Sequence, residues 1–335
     1  MKKRIAINGF GRIGRTFLRI ALTDKTCLDH LEIVAINIGP SDASNMAHLF
    51  MHDSIMGTFD GTVTLTDSTL TINGINVTLL TVQDPEHIDW KSLNIDWVVE
   101  ASGHFTSRQG ASKHLNAGAK KVVITAPASD EDITIIPGVN NDAYDRTKHS
   151  IVSLGSCTTN CFAPLVKILH ESFVITEGLM STVHAYTNDQ VLLDVEHKDP
   201  RRARAAGFNI IPTKTGADSV ITKIYPALIG KLKASSLRVP VPVVSIIDFT
   251  FSAEKPFTKE SINTTLKAYA HNQLKGIVQY EEEPLVSSDF IGNQHSCIVD
   301  ALLTQSVGHM GKVFAWYDNE FGYSCRIKDF LLHIS

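Results

Sequence analysis

Hydrophobic positions in the first part of the chain alternate between two periods. Residues 4–9, "RIAING", form a short apolar run that stops at Asn-Gly, and residues 14–23, "GRTFLRIALT", place apolar side chains at helical spacing. "LEIVAIN" (31–37), "DWVVEASG" (96–103) and "KKVVITAP" (120–127) are strand-like, with a helical "SRQGASKHLNAGA" (107–119) between the last two. Strands alternating with helices predict βαβ units and a parallel sheet. One stretch breaks the rhythm. Residues 62–82, "TVTLTDSTLTINGINVTLLTV", alternate around Asn73-Gly74, which predicts a hairpin insertion.

Beyond residue 156 the pattern changes. A helix is expected over 158–171 and a strand within "EGLMSTVHAYT" (177–187). A long polar and basic segment occupies 188–215. "SLRVPVPVVSIIDFTFSAE" (236–254) and "SCIVDALLTQSV" (296–307) are β-rich. This part reads as α+β with a mainly antiparallel sheet.

Composition narrows the class. A chain of 335 residues with 43% hydrophobic content suits two packed domains. The net charge of −4 argues against a general nucleic-acid binder. No run of 18 apolar residues is present, so no membrane span is expected. The opening "MKKRIAINGF" is basic but lacks a signal-peptide hydrophobic region, so a soluble cytoplasmic protein is expected. The five cysteines, Cys27, Cys157, Cys161, Cys297 and Cys325, are odd in number and read as reduced thiols.

Gly9, Gly11 and Gly14 make a Gly-x-Gly-x-x-Gly pattern that follows an expected strand and opens an expected helix. In that context glycines let the backbone approach a pyrophosphate, and the helix N-terminus offers free N–H groups. An acidic residue usually ends the second strand and binds the adenosine ribose. Here that position holds Ile38, and the nearest acid is Asp42.

Cys157 and Cys161 sit four apart in "GSCTTNC". No second cysteine pair exists to complete a structural zinc site, so no metal is expected. Cys161 lies on the apolar side of the expected helix with Leu165 and Ile168, and reads as buried. Cys157 lies at the helix start, where the dipole and free N–H groups favour a thiolate. His184 is a candidate base, although spacing does not establish that the two meet.

"SCTTNC", "HAYTNDQ", "RRARAA", "IIPTKTGA", "LRVPVP" and "WYDNEFGYS", with the opening "INGFGRIGR", together resemble glyceraldehyde-3-phosphate dehydrogenase over residues 4 to about 330. The resemblance implies a Rossmann-type dinucleotide-binding domain over 1–155, an α+β catalytic domain over 156–318, and a terminal helix over 319–335 that packs back on the first domain. It also implies a homotetramer that oxidises and phosphorylates glyceraldehyde 3-phosphate, with NAD as cofactor and NADP left open by Ile38.

Site residues follow from the same likeness. Cys157 is the implied nucleophile and His184 the implied base. Ser156, Thr158, Thr215 and Gly216 serve inorganic phosphate, Thr187 and Arg238 the substrate phosphate, and Arg202 either one. Arg201, Arg202 and Arg204 read equally well as a solvated or inter-subunit basic loop. Gly9, Gly11, Arg12, Ile13 and Gly14 line the pyrophosphate, Asn37 and Ile38 the adenosine, and Thr125 and Asn319 the nicotinamide. Gln83 stands on the adenine side where the family often has Arg. Glu196 is either a solvated loop residue or a carboxylate that reaches a neighbouring subunit's cofactor. Erythrose-4-phosphate dehydrogenase is the rival inside the family, although "HAYTNDQ" and "IIPTKTGA" favour the triose enzyme. A non-catalytic cofactor-binding protein is the rival outside it.

Overall fold

Ile5, Ala6 and Ile7 have no exposed surface, because their strand, Lys3–Asn8, lies inside a nine-stranded sheet. The computed structural model describes residues 2–335 and divides into two compact units. The first runs to Pro137, resumes over Asn141–Gly155 and ends with Ser324–Ser335. The second comprises Gly138–Asn140 and Ser156–Tyr323.

In the first unit Lys3–Asn8 pairs in parallel with Leu31–Asn37 on one side and Trp97–Glu100 on the other. Strand order therefore reverses at Lys3–Asn8, and ligands of such sheets bind at the carboxyl ends beside that reversal. Asn8, Asn37 and Glu100 mark those ends. The sheet continues in parallel through Lys121–Ile124, Ile151–Ser153 and Ile133–Thr134.

The expected hairpin insertion takes a different form. Residues 63–80 make three strands, Val63–Thr66, Thr69–Ile72 and Ile75–Leu80. Asn73 and Gly74 adopt φ of 50° and 79°, as a two-residue primed turn requires. Asp67, at φ 52°, allows a second turn that the alternation did not reveal. The third strand then pairs in parallel with Leu31–Asn37, so the segment extends the main sheet.

The C-terminal helix, Phe321–His333, contributes its later residues to this unit. Phe330 meets Trp97 edge-on at 5.5 Å, and Lys328 pairs with Asp24 at 3.0 Å.

The second unit holds a seven-stranded sheet in the order Ile211–Thr213, Leu232–Val239, Ile175–Ala185, Ser245–Ala253, Met310–Tyr317, Cys297–Val307 and Val278–Glu281. Neighbours are antiparallel except for two parallel pairs: Ile175–Ala185 with Leu232–Val239, and Val278–Glu281 with Cys297–Val307. The helix Cys157–Phe173 covers one face, with Phe162 edge-on to Phe249 at 4.9 Å. Each such fully buried side chain contributes roughly 1.5–3 kcal/mol. The polar segment 188–215 is mostly irregular and pairs its own charges, Arg202 with Asp189 and Arg204 with Asp194.

Candidate active site

Cys157 is the first residue of its helix, and Ser156 caps it by accepting the Thr159 N–H at 3.0 Å. Cys157 is half-buried, whereas Cys161, one turn on, is fully buried. Burial raises the Cys157 thiol above its ordinary value, and the Arg238 charge and Thr158 offset this only in part, so the helix start does not by itself give the thiolate expected from the sequence. Burial raises Cys161 well above the usual thiol range, and the neighbouring Cys297 adds to this. All five cysteines are free thiols.

The sulfur of Cys157 lies 3.5 Å from His184 Nε2. His184 is 3% exposed on the strand Ile175–Ala185, and sheet register sets it directly beside Arg238. Burial lowers the imidazole pKa to about 3, with the Arg238 charge as the second cause and the Ala185 carbonyl opposing both. Burial and Arg238 together disfavour the imidazolium of His184, and Arg238 is the cation acting on the sulfur.

Tyr317 completes this cluster, and the sequence reading passed over it. Its hydroxyl bridges Thr158 Oγ1 at 3.0 Å and Thr182 Oγ1 at 2.8 Å, and its ring stands edge-on to His184 at 5.9 Å. The tyrosine lies inside "WYDNEFGYS", where the family resemblance points to Asn319. Asn319 is buried, and its Oδ1 accepts from Ser245 Oγ at 3.2 Å; Ser245 Oγ in turn accepts the Ala185 N–H at 3.0 Å.

The proposed anion ligands fall into separate groups. Arg202 donates to Thr213 Oγ1 at 2.8 Å and pairs with Asp189, whose N–H donates to Thr187 Oγ1 at 3.4 Å. Arg202 and Asp189 also act electrostatically on Arg238, so Arg202, Asp189, Thr187 and Arg238 share one neighbourhood. Thr215 and Gly216 stand at the start of the helix Ala217–Ile224, where Thr215 Oγ1 accepts the Ala217 N–H at 3.3 Å. The Thr158 side chain is buried against Tyr317, and both its hydroxyl and its backbone N–H act on the thiol.

In the first unit, a cleft of about 590 Å³ opens at the strand reversal, lined by residues 8–11, 37–41, Gln83, Ala101 and Ser102 among others. Gly9 sits at φ +95°, and a Cβ there would lie 2.4 Å from Ser102 backbone atoms. A Cβ on Gly14 would lie 2.3 Å from the Gly9 carbonyl oxygen. A Cβ on Gly11 meets nothing within 4 Å, so the missing side chain leaves space on the cleft side. The helix Arg12–Thr23 starts at Gly11 with no side-chain cap and no acid in its first turn. An uncapped helix start facing a cleft suits a pyrophosphate.

Gly9, Gly11, Asn37, Ile38 and Gln83 thus meet in one cleft. Arg12, Ile13, Gly14 and Thr125 lie outside its lining: Arg12 pairs with Asp53, and Thr125 donates through N and Oγ1 to the Glu100 carbonyl at 3.0 Å. The Asn37 side chain is committed to protein, donating to Asn8 Oδ1 at 2.7 Å and the Val82 carbonyl at 2.8 Å while accepting the Val82 N–H at 2.9 Å. No carboxylate is among the residues lining the cleft. Asp42 instead caps the helix Ala43–Met51, accepting the Asn45 N–H at 2.8 Å.

A chain equipped in this way is a cysteine-dependent dehydrogenase, in which a dinucleotide takes the electrons and a thiol holds the carbon that loses them. Its two parts match two family models: the NAD binding domain of glyceraldehyde 3-phosphate dehydrogenase over residues 3–108, and the C-terminal domain of the same enzyme over 156–319. Proteins named glyceraldehyde-3-phosphate dehydrogenase from Geobacillus stearothermophilus and Priestia megaterium are each 49% identical over 336 residues, covering 100% of this chain and 99% of the relative. Glyceraldehyde-3-phosphate dehydrogenase 1 of Bacillus subtilis is 48% identical over the same span. The chain belongs to the glyceraldehyde-3-phosphate dehydrogenase family, with NAD as its cofactor.

Proposed function

We propose that the chain oxidises and phosphorylates glyceraldehyde 3-phosphate to 1,3-bisphosphoglycerate, with Cys157 as nucleophile and His184 as base. The observation that carries this is the 3.5 Å approach of His184 Nε2 to a thiol at a helix start. The thiol adds to the aldehyde carbon, its S–H bond breaks, and the proton passes to the carbonyl oxygen, which becomes the hydroxyl of a thiohemiacetal. His184 then takes the hydroxyl proton as the carbon gives up hydride, which NAD accepts when bound. The thioester left on Cys157 is attacked by inorganic phosphate. The carbon–sulfur bond breaks, and the acyl phosphate leaves. The Cys157 N–H is placed to stabilise the oxyanion of each addition.

Residues 1–155 hold the cofactor, 156–318 the reacting groups, and 319–335 close back on the first domain. The substrate phosphate is held by Thr187 and Arg238, with Arg202 beside them. The attacking phosphate is held by Ser156, Thr215, Gly216 and the Thr158 N–H. Arg12, Ile13, Gly14, Thr125 and Asn319 serve the cofactor together with the cleft residues.

The working form is a homotetramer in the cytoplasm. Supporting this, Leu192, Leu193, Val195, Phe208 and Ile210 stand exposed on one loop, Leu192 at 86% and Phe208 at 88%. Apolar exposure on that scale suits a covered interface. Among the described residues no helix is long and apolar enough to cross a membrane.

Turnover of glyceraldehyde 3-phosphate and of erythrose 4-phosphate, each with and without inorganic phosphate, tests the reaction. Triose-selective, phosphate-dependent NADH formation is expected. Selectivity for erythrose 4-phosphate, or cofactor binding without turnover, contradicts it. Sedimentation velocity tests the tetramer.

A further inference from the structure

Every partner of the Glu100 carboxyl group is a donor. The Val82 backbone fixes the Asn37 amide, giving its N–H to Oδ1 and accepting from Nδ2 at its carbonyl. Asn37 Nδ2 also donates to Asn8 Oδ1, which turns the Asn8 amide nitrogen toward Glu100 Oε2 at 2.6 Å. The Ser102 N–H reaches Oε1 at 2.8 Å. Ser102 Oγ accepts the His104 N–H at 3.1 Å, so its own proton is left for Oε1 at 2.5 Å. His114 presents Nε2–H, because its Nδ1 accepts from the Trp90 indole, a group that only donates. A proton on Glu100 would face these donors, so the group is a carboxylate, and His114 with one ring proton is neutral. Both side chains are fully buried, and among the described residues no Lys or Arg pairs with Glu100. A negative charge is thus buried without a cation, which hydrogen bonds offset only in part.

We propose that the Glu100 carboxylate is a buried counter-charge for the oxidised nicotinamide, and that it raises the affinity of the cleft for NAD relative to NADH. The nicotinamide ring of NAD carries one positive charge and that of NADH carries none, while the pyrophosphate charge is the same in both. A fixed negative charge on the nicotinamide side therefore separates the two oxidation states, whereas shape and hydrogen bonding alone treat them nearly alike. Oxidation of the aldehyde removes the ring charge, so the interaction that helps NAD enter is lost when NADH is to leave.

Topology puts the charge on that side. A dinucleotide straddles the strand reversal, with its adenosine at the end of the second strand, here Asn37 and Ile38. Its other half then crosses to the ends of Trp97–Glu100 and Lys121–Ile124. Glu100 is the last residue of the first of these, and Thr125, just past the second, donates twice to the Glu100 carbonyl. The inference rests on the reading that Thr125 serves the nicotinamide. Asn8 and Ser102, which line the cleft, hold the carboxylate behind that lining. Arg15 also lines the cleft, but its Nη1 donates to the Phe10 carbonyl at 2.8 Å, in the glycine loop that faces the pyrophosphate.

The test is calorimetric titration of wild type, Glu100→Gln and Glu100→Asp with NAD, NADH and ADP-ribose, which lacks the nicotinamide. Glu100→Gln is expected to lose about tenfold more affinity for NAD than for NADH, the scale of one charge acting through protein. By the thermodynamic cycle, the potential of the bound couple then rises by about 30 mV. Glu100→Asp keeps the charge and is expected to keep the wild-type ratio of the two affinities, even where the shorter side chain weakens both. Equal losses for NAD, NADH and ADP-ribose in Glu100→Gln make the residue a structural support only and overturn the inference. The wild type alone supplies a second arm: it is expected to bind NAD about tenfold more tightly than benzamide adenine dinucleotide, in which carbon replaces the charged ring nitrogen. Equal binding of those two overturns the inference even where Glu100→Gln does not fold. Thr125→Ala tests the underlying reading separately, and is expected to weaken NAD and NADH alike while sparing ADP-ribose. A loss for ADP-ribose as large as that for NAD overturns the nicotinamide placement, and the counter-charge with it.

Discussion

Trp90 Nε1 donates to His114 Nδ1 at 3.2 Å, which leaves the histidine's proton on Nε2, 2.9 Å from the Glu100 carboxylate. Glu100 also accepts from Asn8 Nδ2 at 2.6 Å and from the Ser102 N–H at 2.8 Å. Asn8 and Ser102 line the cleft at the strand reversal, so a polar chain buried at Trp90, His114, Glu100 and Asn8 supports its floor.

Removing the centre of that chain leaves several buried donors unpaired. Glu100→Leu is expected to cost about 1–3 kcal/mol of stability for each buried donor it leaves unsatisfied. Glu100→Gln keeps the shape but turns an amide donor toward donors. It is expected to weaken NAD binding through Asn8 and Ser102 while leaving the thiol chemistry intact. Denaturant unfolding and NAD titration separate the two effects. Unchanged affinity in a folded Glu100→Gln protein contradicts the supporting role.

Cys157 and Cys161 differ in exposure and surroundings, and their variants should differ as well. Cys157→Ser is expected to abolish aldehyde oxidation. Cys161→Ala should keep most turnover and lose about 0.5–3 kcal/mol of stability, as is usual for a core change. Steady-state rates and unfolding curves for both variants check this.

His184 ties activity to acid stability. His184→Asn is expected to lower turnover by about 10²–10⁴-fold. Its folded pKa of about 3 lies below the unfolded value, so between the two the unfolded chain binds the extra proton. Stability from this group is therefore complete above the unfolded pKa and is lost as pH falls toward 3. The slope is at most about 1.4 kcal/mol per pH unit. Unfolding free energies of wild type and His184→Asn should converge as the pH drops from neutral toward that value. A difference independent of pH contradicts it.

The cleft offers no carboxylate to discriminate between cofactors. Ile38, 6% exposed, neither accepts from ribose hydroxyls nor repels a 2′-phosphate, and Asp42 is used as a helix cap. NAD is expected to be preferred over NADP, by less than an acid at position 38 gives, and Ile38→Asp should widen the gap. The ratio of kcat/KM for the two cofactors decides it, and a wild-type preference for NADP refutes it.

Local pattern carried much of this in advance. Period changes marked the strands Lys3–Asn8 and Leu31–Asn37 and the helix beginning at Cys157, because each is decided by which side chains face a core. The site relations that matter most are not local. His184 and Arg238 are 54 residues apart and meet only through strand pairing. Tyr317 joins Thr158 across 159 residues and Thr182 across 135. Asn37 lines the cleft as the sequence suggests, but its side chain is bound to Asn8 and Val82, which only the folded strand ends reveal. The turn at Asp67 was hidden because an aspartate in the left-handed region leaves no mark on the alternation.

The central claim is that the oxidised carbon is carried on Cys157. Mixing the enzyme with glyceraldehyde 3-phosphate and NAD, without inorganic phosphate, and quenching in acid for peptide mass spectrometry tests it most directly. The expected result is one NADH formed per site in a burst and a phosphoglyceroyl thioester on the peptide bearing Cys157, discharged when phosphate is added before the quench. NADH formation with no adduct on Cys157, or with the adduct on Cys161, contradicts the account.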